Sequence, residues 1–252
     1  MTRLHKRPPP ESSIETLLIV SDLQIPFEDP AAVAVMLKVS ADLQPDYLYL
    51  NGDISDFYAI SSHLPDPRRN LVDELEITKR FLDDIMDATP NATRFFIEGN
   101  HEDRLRKYLI SHASALVGNQ AVTVDGQLGL TRRGFTQVAY PHGVLHKTLY
   151  VVHGDLVSKH SAYTAKQMLD HYGISGISGH THRLGSHYKT TLGGPLGWWE
   201  NGCLCNLDLD YDDKPNWMQG FSIVTFIGNR FWVEQVVIHE GKAIWRGKLY
   251  HG

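Results

Sequence analysis

Apolar runs of strand length recur along this chain, and five of them stop in the same way. Residues 17–20 lead into Ser21-Asp22. Residues 47–50 lead into Asn51-Gly-Asp53, and 94–97 into Gly99-Asn-His-Glu102. Residues 149–152 lead into His153-Gly-Asp155, and 176–178 into Gly179-His-Thr-His182. Helical patterns lie between these runs. Asp29 or Pro30 can open a helix over the apolar residues 31–40. Residues 71–86 carry Leu71, Leu75, Thr78, Leu82 and Ile85 near one helical face, with acids opposite. Residues 102–117 read as a helix that starts with Glu102 and Asp103 and continues with Arg104, Arg106 and Lys107, and 160–172 as another. Strand and helix in alternation predict a parallel-sheet core.

After residue 119 the pattern changes. Residues 123–127 and 137–140 alternate like short hairpin strands. From 186 onward the chain reads as β, with strands over 188–192, 203–207, 221–226, 231–238 and 243–249 and a hairpin turn at Gly228-Asn229. These later strands predict a second sheet packed on the first. The expected fold is an α/β sandwich: two mixed β-sheets face to face, flanked by helices, with Asp, Asn and His side chains gathered at the carboxyl ends of the strands. Residues 1–15, basic and then Pro-Pro-Pro, read as an extended arm. Residues 16–252 read as one domain with no linker.

Composition narrows the function without naming it. The 252 residues, 42% of them hydrophobic, suffice for one substantial core. A net charge of -5 gives no global basic field for nucleic acid, and no basic binding surface is evident. Cys203 and Cys205 stand one residue apart, too close for an unstrained bridge. They are expected as free thiols on one face of a buried strand in a reducing compartment. No apolar run reaches transmembrane length, and the N-terminal stretch lacks the apolar core of a secretory signal. The expected location is cytoplasmic, with no membrane partner; the oligomeric state is not written in the sequence.

Each terminal motif is weak alone; their conjunction, in order and at strand ends, carries the weight. Asp22-Leu-Gln24, Gly52-Asp-Ile-Ser-Asp56, Gly99-Asn-His-Glu102, His153-Gly-Asp155 and Gly179-His-Thr-His182 closely resemble the motif series of the calcineurin-like metallophosphoesterases. The resemblance spans about residues 17–182, and the later strands fit that family's second sheet. It implies two divalent metal ions at the sheet end, with manganese favoured and iron, zinc, nickel or magnesium as other choices. Two metals acidify a bridging water and clamp the phosphoryl group. By the same resemblance Asp53 bridges, Asp22 and His182 bind the first metal, and Asn100, His153 and His180 bind the second. His101 contacts phosphate and gives the leaving oxygen its proton, and Asp56 orients and charges that imidazole.

Two positions depart from the family pattern. Gln24 stands where a histidine is usual, so it either binds the first metal weakly, holds a water or does not bind. Asp155 stands where the nucleases and cyclic-nucleotide enzymes have a second histidine, and is either a supporting carboxylate or a turn residue. Arg104 and Arg183, with Lys159 and His160, either hold substrate phosphate or are solvated charges. Trp198-Trp199 either stacks a base or packs in the core. The expected function is metal-dependent phosphoester hydrolysis, with a preference for diesters derived from nucleotides or nucleic acid. Asp56 precedes Phe57-Tyr58 rather than the Asp-Arg-Gly extension of protein phosphatases. The alternatives are a phosphomonoesterase of the same family and a metal-binding scaffold protein with weakened catalysis.

Overall fold

The computed structural model describes residues 14–61, 70–208 and 216–252. The first sheet holds β1 (Ile14–Val20), β2 (Tyr47–Asn51), β3 (Thr93–Ile97) and β4 (Phe135–Val138) as parallel neighbours. β10 (Gly220–Ile227) and β11 (Arg230–Val237) extend it antiparallel, in the order β11-β10-β1-β2-β3-β4. The second sheet has the order β5-β6-β7-β9-β8. It is built from β5 (Val144–His146), β6 (Leu149–Val152), β7 (Gly176–Ser178), β8 (Leu184–Thr191) and β9 (Gly194–Asn201). A hairpin of β12 (Lys242–Trp245) and β13 (Lys248–His251) closes the chain.

The period-two alternation of β1 separates the core layers. Leu17 and Ile19 join Tyr49 and Ile97, which meet Leu149, Val151, Ile177 and Trp199 of the second sheet. Leu18 and Val20 point the other way, into a cluster with Val35, Met36, Leu82 and Ile85. Those four come from α1 (Pro30–Leu43) and α2 (Leu71–Ala88). On the far side, α5 (Tyr163–Tyr172) lays Ala165, Met168 and Leu169 on Val152 and Trp198. Each fully buried Leu or Ile side chain contributes roughly 1.5–3 kcal/mol. Asp29 caps α1 by accepting the amides of Ala31 and Ala32 at 2.9 and 3.1 Å, and Asn70 caps α2 by accepting that of Asp73 at 3.0 Å.

The two-sheet sandwich matches the expected fold class, but several elements differ from the sequence pattern. The strands after 186 do not form one sheet. β8 and β9 belong to the second, whereas β10 and β11 complete the first, where Ile223 and Val224 find cover on both faces. The segment 203–207 is not a strand; Cys203 and Cys205 make only isolated bridges to Gln219 and Glu28. Both thiols are nevertheless buried and free. Residues 243–249 break at Arg246-Gly247, both with positive φ, into a hairpin. The helix expected over 102–117 ends at His112 as α3 (Asp103–His112). Residues 123–127 form part of a short helix, α4 (Val124–Leu128), capped by the Thr123 hydroxyl on the Gly126 amide at 3.0 Å. β4 pairs parallel with β3, not as a hairpin. Trp198 and Trp199 are core residues of β9. β1 starts at Ile14, before the boundary drawn at residue 15; the rest of the expected arm lies outside the described residues. No described helix is long and apolar enough to cross a membrane.

Candidate metal centre

The parallel register sets the strand ends level. Val20 pairs with Leu50, Leu50 with Phe96, and Val152 with Ser178. The residues just past those pairs therefore emerge along one edge of the sandwich. Polar bonds tie the two sheets there. Asn51 Nδ2 donates to the Val152 carbonyl at 3.0 Å, and the His180 amide donates to Asp22 Oδ1 at 3.0 Å. Asp22, Gln24, Asp53, His180 and His182 all have φ between 51° and 70°. That left-handed backbone is unfavourable for residues with side chains and gathers at functional sites.

Glycines give the loops room to approach. Gly52 has a φ of +83°, and a Cβ on it would collide with the His153 ring. A Cβ on Gly99 would collide with the Asp53 carboxylate. The amide of His101 donates to Asp53 Oδ1 at 3.0 Å, which fixes the turn that carries Asn100 and His101.

Among the described residues, two groups of possible ligand atoms that include Asp53 each lie within 4.8 Å of one another. One is Asp53, His153 and His180; the other is Asp22, Asp53 and His182. Asp53 belongs to both. Its Oδ2 lies 3.1 Å from His153 Nε2. His153 Nδ1 faces the Asn51 carbonyl at 2.9 Å. A carbonyl only accepts, so Nδ1 carries the proton there and Nε2 is the nitrogen turned toward Asp53 and toward Asn100 Oδ1 at 3.2 Å. His182 Nε2 lies 3.3 Å from Asp22 Oδ1. The Gln24 amide nitrogen, not its oxygen, stands 3.0 Å from His182 Nε2.

The electrostatics are those of a compact mixed cluster. Burial alone would raise the Asp53 carboxyl, but the imidazoles of His101, His153 and His180 outweigh it and hold it far below the carboxylate range. Burial works against a charged His153, yet Asp53 and its hydrogen bond push that ring up to about 9. His180 is held down to about 4 by burial and by the His153 ring beside it. Burial also opposes charge on His182, but Cys205 and Asp22 raise it well above its ordinary value. A divalent cation relieves this arrangement, because it meets the clustered carboxylates without protons on the rings. Carboxylate, amide and imidazole donors at this burial fit the group that the motif series implies.

His101 sits at the rim. Its Nδ1 meets Asp56 Oδ2 at 3.0 Å, and its Nε2 lies 3.6 Å from Asp53 Oδ2. Burial opposes its charge, whereas Asp53 and Asp56 raise its pKa. Arg104 is engaged with Asp56, bonding its carbonyl at 2.7 Å and its Oδ1 at 2.6 Å, and its Nη2 comes within 3.2 Å of His101 Nε2. Arg183 binds the Ser158 and Asn216 carbonyls. Asp155, Lys159 and His160 are exposed.

Two carboxylates to which the sequence pattern gave no role in the site support these loops. Glu102 accepts the amides of Asp53, Ile54, Ser55 and Gly99 at 2.8–3.1 Å. Glu74 of α2 accepts the Ser55 hydroxyl at 2.8 Å and the amides of Phe57 and Tyr58. Glu102 lay inside a recognised motif, but nothing in a sequence marks a glutamate as a collector of backbone amides. Trp217 also went unread; its ring packs edge-on against His182 at 4.6 Å between centroids.

With the fold and the cluster in place, comparison with known proteins identifies the class. The chain belongs to the calcineurin-like phosphoesterase family, whose profile matches residues 15–201, and it is a metallophosphoesterase. Among curated proteins it is similar to the "Gene 54 protein" of Mycobacterium phage D29, 31% identical over 243 residues covering 90% of this chain and 94% of that protein. The protein of the same name from Mycobacterium phage L5 is 28% identical over 251 residues, covering 93% of this chain and 98% of that protein. Vacuolar protein sorting 29 of Cryptosporidium parvum shares the fold at 13% identity and a TM-score of 0.50, covering 95% of this chain and 97% of that one.

Proposed function

We propose that this phosphoesterase hydrolyses phosphodiesters with two divalent cations held on either side of Asp53. The observation that carries the proposal is the pair of donor groups that share that one carboxylate. Asp22, Asp53 and His182, with the Gln24 amide turned over, would hold one ion; Asp53, Asn100, His153 and His180 would hold the other. Bound there, such a pair supplies a nucleophilic water at neutral pH and neutralises phosphoryl charge. Manganese suits the mixed oxygen and nitrogen donors, and iron, zinc, nickel or magnesium are the alternatives to be titrated.

The chain's own groups account for the rest. His101 donates from Nδ1 to Asp56, and Asp53 and Asp56 together favour the doubly protonated ring. That imidazolium would give its Nε2 proton to the leaving oxygen. Arg104 in turn fixes Asp56 through two bonds. The rim favours a singly charged diester over a doubly charged monoester, since the Arg104 and Arg183 guanidiniums are already engaged with Asp56 and with backbone carbonyls. Trp217 beside His182 offers an aromatic surface of the kind on which a base stacks, which supports a diester of nucleotide or nucleic-acid origin.

The test is a panel of an activated phosphodiester, a phosphomonoester, a cyclic nucleotide and single-stranded DNA, assayed after chelation and after adding manganese. The diester should be the better substrate and should need the metal. Preference for the monoester would overturn the diester reading. Full activity in demonstrably metal-free protein would overturn the mechanism. Metal bound with no turnover on any member would favour a scaffold.

A further inference from the structure

Cys203 and Cys205 take no part in the donor set around Asp53. Both are fully buried and unbridged. The Cys203 amide donates to the Met218 carbonyl at 3.1 Å, and the Cys205 amide to the Asp22 carbonyl at 3.1 Å. Alternate residues of an extended segment face the same way. Leu204, between them, packs into the helix-side core, which leaves both thiols on the other face, toward His182. The two sulfurs and a ring nitrogen of His182 lie within 4.8 Å of one another. The ring serves two sides. Its Nε2 faces Asp22 at 3.3 Å, whereas its Nδ1 faces Cys205 Sγ at 3.9 Å.

We propose that Cys203, Cys205 and His182 Nδ1 form a third cation site, for a soft divalent ion of the zinc and cadmium class. This goes beyond the phosphoesterase reading, which uses the other nitrogen of the same ring. Two thiols and an imidazole are the donors that soft ions select over the hard ones favoured by carboxylates. Zinc bonds of about 2.3 Å to sulfur and 2.0–2.1 Å to nitrogen in a tetrahedron set those two donors about 3.6 Å apart. The observed 3.9 Å separation needs only a small closure. Charge balances as well. The two thiols release their protons to solvent on binding. With its Nε2–H turned to Asp22 the ring binds through Nδ1 as a neutral imidazole, so the two thiolates neutralise one divalent ion. When Nε2 holds an ion as well, the ring releases that proton too and serves as an imidazolate. The Met218 carbonyl, 3.6 Å from Cys203 Sγ, stands beside the site as an oxygen donor.

The experiment titrates chelated, reduced protein with cadmium and follows the ultraviolet thiolate-to-cadmium charge-transfer band. The band should saturate at about one cadmium per chain, persist in Asp53→Asn, and be lost in Cys203→Ser and in Cys205→Ser, with circular dichroism reporting that each variant is folded. Absence of the band in the native protein would overturn the proposal whatever the variants do. So would a thiol titration of the unreduced, denatured chain that finds a disulfide. A band that disappears in Asp53→Asn would assign the sulfurs to the phosphoesterase centre instead. Failure of metal-dependent phosphodiester hydrolysis would leave the band unchanged, so the two proposals fail separately.

Discussion

Glu102 Oε2 accepts the backbone amide of Asp53 at 2.9 Å, so one buried carboxylate positions the loop that presents another. Its two oxygens take four amides in all, from Asp53, Ile54, Ser55 and Gly99. A glutamine there turns an N–H toward amides that need an acceptor. Glu102→Gln should lower stability by about 1–3 kcal/mol and weaken metal binding about 10–100-fold. Denaturant unfolding and metal titration measure the two effects. Reduced stability with unchanged metal affinity would confine Glu102 to a folding role.

His101 and Asp53 should separate proton delivery from metal binding. His101→Ala should keep its metal and lose turnover by roughly 10²–10⁴. Asp53→Asn should lose metal, because it removes the charge shared by both donor groups. Metal analysis beside single-substrate kinetics makes the comparison. Equal loss of metal in both variants would contradict the division of roles.

Gln24 is where the donor set is weakest. An imidazole donates more strongly to a transition metal than an amide oxygen does. Protein isolated without added metal should therefore hold the ion beside His153 more fully than the ion beside His182. Gln24→His should raise occupancy of the weaker position. Two equally tight ions in the native protein, with no gain in the variant, would show that Gln24 is either an adequate ligand or irrelevant.

Glu74 gives the fold a pH dependence of defined sign. Burial raises its carboxyl from 4.5 to about 7, although the Ser55 hydroxyl and the Phe57 and Tyr58 amides stabilise the charged form. Below pH 4.5 the carboxyl is protonated in both folded and unfolded chains. Between 4.5 and about 7 the unfolded chain ionises first, so this contribution to stability is lost as pH rises through that window. The loss is at most about 3 kcal/mol. Denaturant midpoints from pH 5 to about 8 should fall more steeply for the native protein than for Glu74→Gln. Parallel curves would contradict it.

The scaffold of the site was legible because it obeys periodic rules. A strand that stops in Gly-Asn-His leaves a mark in the sequence, and so does an amphipathic helix such as α2. Sheet membership was less legible. β10 and β11 carry the same alternation as β8 and β9, and only tertiary packing assigns them to different sheets. Glu74 looked like one of the acids on the solvent face of α2. It is buried because the loop at Ser55–Tyr58 brings unpaired donors to that side of the helix. Arg104 reads as a loose cation beside a motif, and its engagement with Asp56 depends on two loops meeting across 48 positions of sequence.

Electron paramagnetic resonance of the manganese-loaded protein tests the central claim most directly. Two manganese ions held by the donor groups that share Asp53 would, at the roughly 3.5–4 Å spacing of two-metal sites, be magnetically coupled. The native protein should show the spectrum of a coupled pair, and Asp53→Asn should not. A native spectrum of isolated, uncoupled manganese at full loading would contradict the account.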